Sequence, residues 1–539
     1  MAASFIPVVE TEPVEEGQVS VKALDATNPE WDKRSGAWED IRILYEGGVE
    51  LENNATRFLR MRVREDPSVY AARVERLTYQ NILATAVGWY VAAMFKDSPE
   101  VLFHRVGKKG ETVSGELDPS AQSFYLRFLK NCDKAGSSFV RFIVDTFIDV
   151  CLFGISYVLI DLPSAEVNPV TMEDERQLGL RDPYLVLFNP VNVLDWKNDR
   201  EGNLVWIKAK FTSTERDDFL GKVETVDRWY YYDREKFSVY ERRTREGETA
   251  PLFATNTSNG THSLSKYNCV PVVRITFQKR LWLANRVYLA LKDHLNQDNT
   301  LSWALFMSNL AMPVVITDDD VSELTQTEAG FIKLSSGSSY TWSEPEGKSN
   351  QQSASRLESL REEIFRSMYL QAQGRSMRAT PAMQSGRSKE LDMAPVRDVL
   401  CGMADVVVSA MQNCLAMVRD ARNDSGYESD VRGPEFYEEM TTDEVFAFSA
   451  SLQVKVPSDT FEREMYKKFV RSWMPDMNPE VRQKMDDEIS SGPLLADRER
   501  KELMERAKIA RENVSSAISK IPLKPGQGGG GRPAGKGSK

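Results

Sequence analysis

Apolar positions along this chain follow two different spacings, and the changes between them divide it. From Trp31 to about residue 96 they recur every three to four residues, the spacing of one helix face. "WEDIRILYEGG" supplies Ile41, Leu44 and Tyr45 and stops at two glycines; "SVYAARVERLTYQNILATAVGWYVAAMF" predicts one long second helix. A third helical region runs through "AQSFYLRFLKNCDKAGSSFVRFIVDTFIDVCLFG", with a break at Gly136. After Gly154 the period shortens: "ISYVLIDLP", "PYLVLFNPVNVLDW", "NLVWIKAKF", "KVETVDRWYYYD", "KFSVYERR" and "PVVRITF" are β-branched and aromatic, with turn residues between them. These predict a mostly antiparallel, strand-rich unit over residues 155 to 278. No helix of crossover length lies among the strands, which counts against a doubly wound nucleotide-binding sheet.

The helical period then returns. Residues 279 to 312 place Leu283, Val287, Leu291 and Leu295 four apart on one face, followed by Trp303 and Phe306, and a continuous helix of that length spans about 50 Å. Next comes a compact insertion, with two or three strand candidates and an acidic run at Asp318, Asp319 and Asp320. A helix over 351 to 373 follows, carrying Leu357, Leu360, Ile364, Met368 and Leu370. Beyond it lies "RATPAMQSGRSKELDMAPVRDVL", basic and broken by Pro381 and Gly386, with Pro395 suited to the first turn of a helix ending near 420. On its residues alone this basic stretch fits a nucleotide site, a DNA contact or a plain surface connection. Strands in "EVFAFSASLQVKV" precede a last helical region with Phe461, Met465, Phe469 and Trp473, and "PGQGGGGRPAGKGSK" reads as a flexible cationic tail.

Length and charge narrow the picture. The 539 residues are enough for several substructures, and 69 Lys plus Arg against 80 Asp plus Glu give a net charge of -11. That sign argues against nonspecific coating of DNA, which needs clustered cations. Residues 1 to 30 are acidic and proline-bearing and predict an arm without fixed structure. The nearest approach to a membrane span, residues 82 to 95, is too short for a bilayer and predicts a buried or subunit-facing helix around Trp89. Five scattered cysteines, Cys132, Cys151, Cys269, Cys401 and Cys414, predict buried free thiols.

Catalytic chemistry is thinly represented. The three histidines, His104, His262 and His294, are far apart in sequence, and "GGGG" at 528 to 531 lacks the lysine and hydroxyl of a phosphate loop. Asp318 to Asp320 have no glycine-spaced ligand pattern after them, so a partner-facing turn is the better reading than a metal site. Trp196, Trp206, Trp229, Tyr230, Tyr231 and Tyr232 alternate as sheet-packing residues do, without the basic stripe that single-strand binding requires. The expectation is a non-enzymatic protein without cofactor or metal.

The order of segments adds a further reading. "YAARVERLTYQNILATAVGWYVAAMFKDSP", "GISYVLIDLP", "YLVLFNPVNVLDW", "LWLANRVYLALKDHLNQDNTLSWALF" running into "MPVVI", and "SGRSKELDMA" before another helix occur in that order across residues 40 to 500. In this the chain resembles the portal proteins of tailed bacteriophages, in the branch with a small β-rich insertion between two long helices. The resemblance implies an α+β, phage-portal-like subunit: an arm at 1–39, a wing with helical and β-rich parts at 40–278, and stem helices at 279–311 and 351–373. A clip would occupy 312–350, a tunnel loop 374–390, a long helix and remaining wing 391–456, a helical crown 457–520 and a tail 521–539.

The same resemblance implies a homo-oligomeric ring, usually a dodecamer, at the unique head vertex of a virion and assembled in the host cytoplasm. Its partners would be double-stranded DNA in the channel, the terminase motor, the head-tail adaptor, the major capsid protein and a scaffolding protein, with no membrane. Arg375, Arg378, Arg387 and Lys389 would face DNA from the tunnel loop, and Asp318, Asp319 and Asp320 would serve clip docking. Trp89, Trp282 and Trp303 would pack in the core or between subunits. The competing class is a virion scaffold or adaptor protein that does not encircle DNA.

Overall fold

The computed structural model describes residues 18–96, 98–106, 112–113, 119–163, 180–216, 222–308, 312–316, 339–343, 348–370, 386–424 and 426–433, with parts of 463–508. They belong to two compact units, residues 1–435 and 436–539. The first is a mixed α and β structure. It opens with β1 (Gln18–Ser20) and one helical turn at Val21–Leu24. Helix α1 (Pro29–Glu46) begins where Asn28 accepts a hydrogen bond from Glu30 N at 2.9 Å, with proline at its first position, and stops at Gly47. Two single turns lead to α2 (Pro67–Glu75) and α3 (Ile82–Met94). Then come β2 (Glu100–Val106), β3 (Thr112–Val113), α4 (Pro119–Lys130) and α5 (Phe139–Phe153).

The strand-rich stretch is β4 (Ile155–Asp161), β5 (Tyr184–Phe188), β6 (Val193–Asn198), β7 (Leu204–Glu215), β8 (Glu224–Asp233), β9 (Lys236–Arg245), β10 (Phe253–Thr261) and β11 (Val272–Thr276). Six strands form an antiparallel sheet in the order β1-β10-β9-β8-β7-β6, and β11-β4-β5 form a second. Alternation gives the larger sheet two apolar faces. One, with Ile207, Ala209 and Tyr232, meets Tyr157, Leu159, Phe188 and Val272 of the smaller sheet. The other carries the fully buried Trp229, which packs with Val21, Leu24, Leu194 and Ala254.

Helix α6 (Leu283–Ser308) and helix α7 (Lys348–Ser367) pack on one another, joined through the hairpin strands β12 (Met312–Ile316) and β13 (Ser339–Ser343). Helix α8 (Gly386–Arg422) lies against β11, β4, α5 and α3, and leads to β14 (Tyr427–Arg432), which pairs with β2. In the second unit, α9 (Pro479–Ser491) is held at its end by Arg463, which donates to Ile489 O at 2.8 Å.

Several sequence expectations need correction. The N-terminal arm does not extend to residue 39 or even 30: from Gln18 the chain is part of the fold, because Val21 and Leu24 are needed to cover Trp229. Asp25 fixes that cover, accepting from Trp229 Nε1 at 2.9 Å and from Lys210 Nζ at 2.9 Å. The single long helix expected over 68–95 is two. Asn299 of α6 clamps Thr78 between them, its Nδ2 donating to Thr78 O at 2.9 Å and its Oδ1 accepting from Thr78 N at 3.0 Å. Asn81 then caps α3, accepting from Ala84 N at 2.9 Å. A side chain that takes both backbone groups of one residue competes with the helix for them.

Helix α7 ends at Ser367 rather than 373, and α8 starts at Gly386 rather than 391, so Pro395 sits well inside it. The segment Pro395–Arg422 is long and apolar enough to cross a membrane, which the reading of 82–95 as the nearest approach to a span overlooked. Half of its most apolar window is buried within the fold, as in a core helix contacted from several sides. Cys132, Cys151 and Cys414 are buried as expected, but Cys401 on α8 is exposed.

Candidate functional site

The basic segment of the sequence follows α7 and runs into α8. Its entry is built from buried groups. Met368 and Leu370 are completely buried, and Tyr369 between them takes a left-handed turn with φ 62°. Leu370 N donates back to Phe365 O at 2.8 Å, so the chain reverses off the helix within three residues. Tyr90 of α3, itself fully buried, donates its hydroxyl to Met368 O at 2.6 Å. Burial pushes the Tyr90 hydroxyl pKa up, which keeps it a proton donor. Arg286 of α6 lies over the Tyr369 ring at 4.4 Å and donates to its hydroxyl. Three helices therefore fix the backbone at the point where the segment departs.

The sequence-derived site residues divide three ways. Arg375, Arg378 and Asp318 to Asp320 lie outside the described residues. Arg387 and Lys389 stand in the first turn of α8, not in a loop, because that helix starts at Gly386. The three tryptophans are half-buried in the unit. Trp89 meets Tyr90 edge-on with ring centroids 5.3 Å apart, and Trp303 lies 5.7 Å from Phe306, whose ring carries the Arg76 guanidinium at 3.8 Å. Trp282 donates from Nε1 to Leu152 O at 2.8 Å. It also presses on Gly154, where a β-carbon would stand 2.7 Å from the indole.

Sequence reasoning missed Tyr90, Arg286 and Tyr369, the residues that hold the segment's entry. The available signal was Tyr90, beside Trp89 in a strongly apolar helix, since a buried tyrosine needs a partner for its hydroxyl. The histidines form no catalytic group. His262 is buried against Asp233 O at 2.9 Å, and His294 is buried on α6, where burial pushes its pKa down. Trp229 and Tyr232 are core residues, while Trp206 and Tyr231 meet with tilted rings, centroids 6.0 Å apart. Among the described residues, no three His, Cys, Asp or Glu side chains are grouped to hold a metal ion.

No family model and no curated protein matches the chain. Solved structures similar to it include chains of gene transfer agent particles. The neck of an empty particle computed with C6 symmetry has 9% identity and a TM-score of 0.36, over 72% of this chain and 90% of that one. The virion of a native particle has 9% identity and a TM-score of 0.36, over 79% and 98%. The neck of a native particle computed with C12 symmetry has 10% identity and a TM-score of 0.32, over 75% and 90%. Likeness this loose carries no argument about fold or function.

Proposed function

We propose that the chain is the repeating subunit of a portal-type connector ring at the head vertex of a tailed-phage virion. In this reading DNA passes through the ring during packaging and ejection. The observation that carries it is the chain order: a long helix, two strands paired antiparallel, a second helix packed on the first, a basic segment whose start is pinned, and a long helix after it. In this reading the strand pair β12 and β13 would belong to a small projecting element between the two helices, and the cationic segment would lie at their base. Arg375 and Arg378, with Arg387 and Lys389 at the start of α8, would contact phosphates without reading bases. The acidic run Asp318 to Asp320, between β12 and β13, would meet the terminase motor and then the head-tail adaptor.

Images of the purified full-length protein along its symmetry axis test this reading. A closed ring, with a channel about as wide as a DNA duplex, is the expected result. A monomer or an open filament would overturn it.

A further inference from the structure

Before α2 the chain makes a tight turn that exposes Arg60, Met61, Arg62, Val63 and Arg64. Val63 is 102% exposed and Met61 47%. Three arginines within five residues are notable in a chain of net charge -11. No ion pair engages them among the described residues; the Arg62 guanidinium reaches only Thr300 Oγ1 of α6, at 3.3 Å.

The turn is rigidly supported from below. Glu65 and Arg73, each side chain 3% exposed, form a two-pronged pair at 2.8 and 2.9 Å. Arg73 also donates to Arg60 O at 2.8 Å, and Glu65 accepts from Arg62 N at 2.9 Å. The turn closes with Glu65 N on Arg62 O at 3.1 Å. The Arg73 guanidinium holds the Glu65 carboxyl down at about 2, so this support persists at any physiological pH. Of the nearby carboxylates, Asp66 is used in capping α2 and Glu75 is exposed on that helix.

An exposed aliphatic pair among unpaired arginines fits a surface that is acidic and aliphatic at once. A phosphate backbone would satisfy the arginines and leave Val63 and Met61 in water. Residues 8 to 16, "VVETEPVEE", offer Glu10, Glu12, Glu15 and Glu16 interspersed with Val8, Val9 and Val14. We propose that the turn at residues 60–64 is a docking surface for the acidic segment 8–16 of a second copy of the chain. The proposal rests on the self-assembly inferred above. Gln18, two residues beyond that segment, is fixed by β10 at the outer edge of the six-stranded sheet, while the turn stands on α2 and α6.

The test is a charge exchange in the full-length protein, read as the concentration for half-assembly in sedimentation. One variant carries R60E, R62E and R64E; another carries E10K, E12K, E15K and E16K; a third carries both sets. Each single set should raise the half-assembly concentration about tenfold or more, with the effect shrinking at high salt. The combined variant should regain assembly, and an equimolar mixture of the two single-set variants should regain part of it through the pairs that still match. Unchanged assembly in the single sets overturns the proposal, as does loss that neither combination restores. Rescue in the combined variant but not in the mixture would place the contact within one chain and overturn the second-copy assignment. Loss of affinity for duplex DNA in the arginine variant, with assembly intact, would make the turn a nucleic-acid surface instead. A native protein that never self-associates would sink the ring reading itself, an outcome distinct from all of these.

Discussion

Gly154 shows how one residue can be required twice over. Its φ is 77°, a left-handed conformation that ends α5, and the Trp282 indole occupies the space of a missing β-carbon. Gly154→Ala should therefore lose about 2 kcal/mol or more in chemical denaturation, from backbone strain and the displaced indole together. A loss no larger than an exposed helical substitution would show that the contact relaxes freely. Asp149, on the same helix, tests the opposite sign. Burial, followed by the charge of Asp145, pushes its carboxyl up to about 7 from an unfolded value of 3.8. Its Oδ1 accepts from Asn189 Nδ2 at 3.2 Å, and its Oδ2 has no hydrogen-bond partner.

Between those two values the folded state keeps a proton that the unfolded state releases, so stability falls as pH rises through the window. Asp149→Asn should raise the thermal midpoint by a few degrees at pH 8 and leave it nearly unchanged at pH 4. Equal effects at both pH values would rule out the titration.

Among the elements, α3 is the one on which the departure of the basic segment depends. Tyr90→Phe removes the hydroxyl bonded to Met368 O and leaves that buried carbonyl without this donor, a cost of about 1–2 kcal/mol. We expect faster proteolysis between residues 371 and 385 than in the native chain, with little change in far-ultraviolet dichroism; an unaltered cleavage rate would show that Arg286 and Leu370 suffice to hold the entry. Helices with strong apolar periodicity, such as α6 and α7, were legible in the sequence because a 3.6-residue repeat of leucines has few other uses. The strand-rich unit was legible for the same reason at period two. Breaks imposed from a distance were not. Nothing local in "RLTYQN" announces that Asn299 will take both backbone groups of Thr78, and Tyr369 turns left-handed without the glycine that would mark it. The start of α8 was misplaced because Pro395 suggests a first turn, whereas the helix carries it internally.

For the whole molecule, the proposed ring makes charge and assembly separable. Changing Arg378, Arg387 and Lys389 to Ser should leave ring formation intact, because none belongs to the apolar set that packs α8. DNA retention should fall, and its dependence on salt should flatten, since fewer phosphate contacts release fewer counterions. A Lys variant at the two arginine positions should behave nearly as the native chain if charge alone matters. An unchanged salt profile in the Ser variant would assign the segment to packing. The cover over Trp229 has its own consequence, and it concerns the order of synthesis. Residues 18 to 25 leave the ribosome long before β8 and β10 exist, so they must wait unpaired while most of the sheet is made. The larger sheet therefore pairs the earliest of its strands to be synthesised with the latest. A fusion or tag inserted between Gln18 and Asp25 would act there, producing chains with a formed helical layer and an exposed tryptophan on an unfinished sheet.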